Sequence, residues 1–315
     1  MSSFQFVENS AAIVEEKDFF DKIALVAHNC YQVPAKTHQE NIAFIQRIVQ
    51  GGHLAMVEHY RFLFRVTAQM YALAVAFCNP FVVPLADGKD FYVSLSARPL
   101  IENRQDPHMA YFCSVLIQSL PTDVKMNLFT HIERGDEHMA LVDPDAIRDL
   151  LGERIYNKAR YVTYHLITDR GVTHEIVRHR LCSFAQESTR YCNYTKDKFG
   201  NTLTFMKPLR YDDFKDVYDS YYQKTADTYF DLIAKGEKPD EARAVLPNSL
   251  KASIMVTANI EEWKHIFELR ISDAAHPDIR RLMNLVRDDM IQKGFLLPEP
   301  AAPIAEPAAT EEKKA

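Results

Sequence analysis

The chain has 315 residues, 47% hydrophobic and 25% charged, with a formal net charge of -6. These are the proportions of an ordinary globular protein with a sizeable core, and the acidic balance argues against a surface built mainly to grip nucleic acid, which needs excess positive charge. The opening MSSFQFVENS shows no basic stretch leading into an apolar one, and no window holds eighteen consecutive apolar residues, so neither secretion nor a membrane span is expected.

Residues 17–50 read as helical, with Phe20, Ile23 and Ala27 on one face, then Ile42, Ile45 and Val49 on another, stopped by Gly51 and Gly52. HYRFLFRVT, from His59 to Thr67, alternates and reads as a strand, and RYVTYHLIT, from Arg160 to Thr168, has the same texture. Between them, residues 67–160 hold a strand at FYVSL from Phe91, a helix at MAYFCSVLIQSL from Met109, the polar run ERGDEH and a helix near Asp145. Nothing there announces chemistry, and the stretch reads as an insertion of about a hundred residues with an accessory or interface role.

A helix is expected from Val172 to about Cys182, then a polar, aromatic loop to Gly200, then a long helix from Asp212 to Lys235 with Val217, Tyr221, Tyr229 and Ile233 among its apolar positions and Gly236 as its stop. Asn259 has the form of an N-cap, with Glu262 three residues on, for a helix through Arg270. Pro277 opens the last helix, with Ile279, Leu282, Val286 and Met290 on one face. The order of elements implies an α+β fold, a mostly antiparallel sheet with packed helices, forming one domain over residues 1–296. The Pro- and Ala-rich tail 297–315 has too little apolar sequence to fold and is expected to be disordered.

Five cysteines (Cys30, Cys78, Cys113, Cys182 and Cys192) form an odd set with no CxxC pair, which fits a reducing cytoplasm better than a disulfide framework or a zinc ribbon. The nine glycines form no GxGxxG or GxxxxGK[ST] cradle, so a bound nucleotide must be held by side chains.

Such side chains are concentrated between Arg178 and Tyr191, in RHRLCSFAQESTRY. Arg178, Arg180 and Arg190 are interleaved there with His179, Ser183, Gln186, Ser188 and Thr189, against a single acid, Glu187. Guanidinium forks take phosphate oxygens in pairs, hydroxyls complete the shell, and Gln186 offers both a donor and an acceptor to a base or ribose. On a continuous helix Glu175, Arg178 and Cys182 would share a face, with Glu175 orienting Arg178. By spacing alone a solvated Arg/Glu patch remains open, as does RNA binding through arginines beside Phe184, Tyr191 and Tyr194. HEIVRH at 174–179 is not a zinc motif, because histidines five apart sit about 140° around a helix and cannot share a metal.

RHR followed by seven residues and Ser188 resembles the signature of flavin-dependent thymidylate synthases. AHNCYQ at 27–32, GGHLAMVEH at 51–59, EARAVLP at 241–247 and NIEEWKHIFELR at 259–270 match that family in order and separation. The resemblance implies reductive methylation of dUMP to dTMP, with methylene-tetrahydrofolate as carbon donor, FAD as cofactor and NADPH as reductant, in a homotetramer whose active sites are shared between subunits. It places Arg178, His179 and Arg180 against FAD, with Gln186, Asn259, Glu261, His265, Ala55 and Glu58 also at flavin-pocket positions, beside His53 and His59. Glu175, Arg178, Gln186, Glu187, Ser188, Thr189, Arg190 and Arg243 fall at dUMP-binding positions, and Arg270 at the position that activates the pyrimidine. Ala55 stands where the family commonly has a hydroxyl residue, and Glu261 where it commonly has Arg. The resemblance assigns no metal and no cysteine nucleophile, and Ser188 lacks a His/Asp relay. The remaining alternative is a non-catalytic nucleotide- or RNA-binding protein that retains the arginine cluster.

Overall fold

The computed structural model describes residues 3–32, 36–129 and 137–297. Its elements are β1 (Ser3–Val7), β2 (Ser10–Ile13), α1 (Phe19–Tyr31), α2 (His38–Gln50), β3 (Phe62–Val66), α3 (Ala68–Phe77), β4 (Val82–Ala86), β5 (Phe91–Leu95), α4 (Ala97–Asn103), α5 (Ala110–Gln118), α6 (Thr122–Leu128) and β6 (Ala140–Val142). There follow α7 (Arg148–Ala159), β7 (Tyr161–Asp169), α8 (Arg170–Ile176), β8 (Ser183–Gln186), β9 (Thr202–Met206), α9 (Lys215–Ala234), α10 (Pro239–Ala242), β10 (Lys251–Asn259), α11 (Ile260–Arg270) and α12 (Pro277–Gln292). The fold is α+β. None of the described helices is long and apolar enough to cross a membrane.

The sheet that carries the candidate site is antiparallel, in the order β2-β7-β10-β8. One face packs on α11 and α12, where Trp263, Leu282, Met283 and Val286 meet Tyr164, Leu166, Ile254 and Val256. The buried Trp263 indole donates to the Val162 carbonyl at 3.2 Å. The other face meets α1, with Val26 against Ala185 and Met255. β10 is therefore covered on both sides, so it shows no polar alternation and is not recognisable as a strand by periodicity.

Residues 17–50 form two helices. Gln32, in the left-handed region at φ 50°, ends α1, and Thr37 with Glu40 makes a reciprocal capping box at the start of α2. Asp21 ties the two together through His38 at 2.9 Å and Asn41 at 2.8 Å. The helix expected to reach Cys182 stops at Ile176, because Ser183–Gln186 pairs with β10 as a strand. Tertiary pairing overrides the local helical spacing there.

A second antiparallel sheet runs β4-β5-β3-β6, so residues 67–160 supply three of its strands around β3. One face of it packs on α2 to α5, and Leu63, Leu85 and Tyr92 join the same core as Tyr164 and Ile254. Most of the polar run ERGDEH and the tail beyond Leu297 lie outside the described residues. A third core packs the parallel pair β1–β9 against α9, whose buried face is Tyr222, Thr225, Ala226, Tyr229 and Phe230. Val217 and Tyr221, expected among the apolar positions of this helix, are exposed.

His59 sits at the junction of the two larger sheets, fully buried, its Nδ1 2.7 Å from the Thr257 hydroxyl, which in turn lies 2.7 Å from that of Thr163. Burial, reinforced by the charge of Lys22, pushes the imidazole down to about 3 from an ordinary 6.5. The folded value lies below the unfolded one, so the unfolded chain takes up the proton first as pH falls. Stability is complete above about pH 6.5 and is lost toward pH 3, by roughly 5 kcal/mol in all. Denaturant midpoints measured from pH 7 to 4 should therefore fall less steeply in His59→Gln than in the parent chain. Parallel slopes would show that His59 does not drive acid unfolding.

Candidate functional site

Two turns of α11 and the segment after α8 build one group of polar side chains. Asn259 opens α11, its Oδ1 accepting from the Glu262 amide at 2.8 Å, while its own amide donates to the Lys158 carbonyl at 3.3 Å. At the far end of the helix, Arg270 donates from Nη1 to Glu175 Oε2 at 3.0 Å, from Nη2 to the Glu175 carbonyl at 3.1 Å and from Nε to His179 Nε2 at 3.1 Å. Because a guanidinium only donates, His179 Nε2 must be the acceptor, which puts the imidazole proton on Nδ1. That atom faces the buried Glu262 carboxylate at 3.7 Å. Glu175 and His179 thus fix the guanidinium plane, with the Glu262 carboxylate facing the imidazole from behind.

Glu175 was expected to orient Arg178; the early end of α8 gives it Arg270 instead. Arg178 and Arg180 lie on the turn between α8 and β8, exposed, and neither guanidinium has a carboxylate partner among the described residues. Beside them the exposed His265 ring packs edge-on to His179, centroids 6.1 Å apart. Glu261 is exposed and pairs with Lys158 at 3.5 Å. Ala55 is exposed before the single turn Met56–His59. Glu58 is buried, its carboxylate taken by Arg98 and by the Ser183 hydroxyl at 3.0 Å. His53 is exposed.

A second group forms at the other end of β8. Glu187 is buried, with Lys251 Nζ 2.6 Å from Oε2 and the Tyr194 hydroxyl donating to Oε1 at 3.2 Å. Burial and the Glu187 charge push the Tyr194 phenol well up, so it stays a donor. The Ser188 amide donates to the Cys30 carbonyl at 3.0 Å, Thr189 is buried, and Arg190 is exposed over the Tyr191 ring. Gln186 donates to Thr173 at 3.1 Å. Arg243 is exposed and donates to the Asp240 carbonyl at 3.0 Å. Glu187, Tyr194 and Lys251 line a cavity of about 270 Å³ with Gln32 and Lys198. Those last two also line a wider recess of about 710 Å³ that reaches His28, Asn29 and His165.

The structure therefore gathers Glu175, His179 and Arg270 at one end of β8, and Glu187, Ser188 and Arg190 at the other. The four-residue strand β8, roughly 10–13 Å of extended chain, lies between them in sequence. Lys251 and Glu262 are members that sequence reasoning did not single out as functional, and Tyr194 entered it only as an aromatic of the RNA-binding alternative. A lysine opening an apolar run, which Lys251 is, was the one available signal.

Cys182 and Cys192, the thiols that flank the arginine-rich segment, are poorly suited to act as nucleophiles. Burial pushes Cys192 up to about 11 and raises Cys182, where the nearby Glu262 adds to the effect.

A family model described as thymidylate synthase complementing protein (Thy1) matches residues 131–293. The flavin-dependent thymidylate synthase of Pyrococcus furiosus is 30% identical over 132 residues, 41% of this chain and 53% of that protein. That of Geobacter sulfurreducens is 35% identical over 113 residues, 36% of this chain and 48% of that protein. The chain thus matches about half the length of these curated relatives. A solved structure of the UMP/dUMP methylase PolB from Streptomyces cacaoi, bound with 5-Br UMP, aligns over 47% of this chain and 76% of that one, with 22% identity and a TM-score of 0.37.

Proposed function

We propose, from the premise that this chain belongs to the Thy1 family of thymidylate synthase complementing proteins, that it methylates dUMP to dTMP, with methylene-tetrahydrofolate as carbon donor and NADPH as reductant through FAD. The observation that carries the reading is the clamp on Arg270. Glu175 and His179 occupy three of its five N–H groups, leaving two for a pyrimidine oxygen. A guanidinium held beside uracil N3 and its carbonyl stabilises negative charge on the ring and moves electron density toward C5, which attacks the methylene carbon. As it does so, a bond from that carbon to folate nitrogen breaks and its electron pair stays on the nitrogen. No thiol is required for that step, in keeping with the raised Cys182 and Cys192.

The donor set suits a flavin dinucleotide. Arg178 and Arg180 are exposed guanidiniums without carboxylate partners among the described residues, which is what a diphosphate needs, and His179, His265 and Asn259 stand beside them. Bound there, FAD would supply the hydride chemistry that the side chains lack. Ala55 contributes no hydrogen-bonding side chain, and the Glu261 carboxylate is turned to Lys158, so binding rests on the arginines. Glu187 to Arg190, Gln186 and Arg243 take the dUMP phosphate and sugar in this reading.

The separation of the two groups along β8 favours a site completed between copies of the chain, as in a homotetramer. Exposed Val177, Leu181 and Leu269 flank the Arg270 group, and exposed Tyr191 adjoins Arg190, which suits contact with another copy. Residues 67–160 then serve as an accessory insertion around the second sheet. Purified protein should show the visible absorbance of a flavin and convert dUMP to dTMP with NADPH and methylene-tetrahydrofolate. A colourless protein that stays inactive after FAD is added would overturn the proposal.

A further inference from the structure

Away from both groups, a cleft of about 830 Å³ opens between α1, the segment leading into β3 and the start of β7. Of the residues placed above at flavin or dUMP positions, His59 lines it and the others do not. Its volume is that of a site for a small organic molecule rather than a bare ion.

Two cations line this cleft, Arg61 and Lys22, and neither has a carboxylate within ion-pair distance among the described residues. The Arg61 guanidinium stacks on the Tyr161 ring at 4.4 Å and donates from Nη1 to the Phe81 carbonyl at 2.8 Å, but its buried Nε has no acceptor. A buried donor left unmade destabilises the fold, and an incoming acceptor would recover that loss. Lys22 comes from α1, and its ammonium lies over the Tyr60 ring, 5.9 Å from the centroid.

Of the acids around the same cleft, Glu15 and Asp145 pair with cations of the same lining, while Glu16 and Asp143 accept from backbone amides and keep their charge. Glu15 pairs with Lys293 at 2.9 Å, and Asp145 holds Arg160 at 2.8 Å and the Tyr156 hydroxyl at 2.7 Å. Asp143 accepts from the Asp145 amide, and Glu16 accepts from the Asp18 amide.

We infer that this cleft is a second ligand site, one that takes a small organic anion whose carboxylate or phosphate oxygens accept from Lys22 and from Arg61 Nε. Burial, together with the charge of Arg160, pushes the Lys22 amine down to about 8 against the weaker pull of Glu16. An anion bound beside it would restore the ammonium form, so occupancy is readable at that one side chain.

The test is acetylation with acetic anhydride at pH 8, quantified for each lysine by peptide mass spectrometry. It is run in potassium chloride alone and with inorganic phosphate or malonate at matched ionic strength. Near its midpoint Lys22 is about half free amine, whereas an ordinary lysine is under about 1% so. We expect at least one of the two anions to slow Lys22 acetylation tenfold or more while exposed Lys224 and Lys235 are unchanged, and we expect Arg61→Gln to abolish that protection. Protection by phosphate alone assigns the site to phosphate esters, and by malonate alone to carboxylates. Equal labelling in all three solutions, or protection that survives in Arg61→Gln, overturns the inference. Should Arg61→Gln not fold, thermal melts decide: the protecting anion must raise the melting temperature of the parent chain and not that of Lys22→Gln.

Discussion

Arg270→Ala is expected to lower turnover by a hundred- to a thousandfold, the range found when a positioned donor to developing charge is removed, while the protein keeps its flavin. Retention is expected because the arginines assigned to the diphosphate, Arg178 and Arg180, make no bond to Arg270. Arg270→Lys should fall between the two. It keeps a charge, but a single ammonium cannot reach Glu175 Oε2, the Glu175 carbonyl and His179 Nε2 together. Turnover of dUMP and flavin absorbance measured on the same preparation decide the matter. Loss of colour along with activity would make Arg270 a flavin ligand and remove the argument for pyrimidine activation.

Mixing two inactive variants should restore activity. Arg190→Ala weakens the phosphate end of the proposed substrate site, and Arg270→Ala disables the activating end. If each site takes its Arg270 group from one copy and its Glu187–Arg190 group from another, a randomly reassembled equimolar mixture has one site in four with both halves intact. Activity should then return to about a quarter of the parent level from near zero, after subunit exchange under mild denaturation. The physical ground is that β8, roughly 10–13 Å of extended chain paired to β10, lies between the two groups in one chain. A mixture no more active than its components would mean that one copy holds the whole site.

Much of this site is legible in sequence because it is local. Arg178, His179, Arg180 and Ser188 lie within eleven residues, and the cap at Asn259 is a three-residue relation to Glu262 that the structure reproduces at 2.8 Å. FYVSL emerges as β5 with the expected bounds, set between the turn Asp87–Asp90 and α4, which opens at Ala97.

What escaped the sequence is long-range. β10 has no alternation because helices cover both its faces, so the strand at the centre of the main sheet is silent to a period-two pattern. β1 pairs in parallel with β9, Ser3 opposite Thr202, a relation without any local sign. Residues 17–50 carry helical spacing throughout, yet Gln32 in the left-handed region and the Thr37 box divide them.

The sequence by itself determined the family signature, the arginine-rich segment and the α+β character, since each follows from residue types at short spacing. Only the tertiary structure decided which acid meets which base. Glu175 lies three residues from Arg178 but bonds Arg270, 95 residues away, and Glu187 finds Lys251, 64 residues away. Helix spacing can place two side chains on one face, but the end of α8 and the pairing of β8 with β10 set where that face ceases to exist.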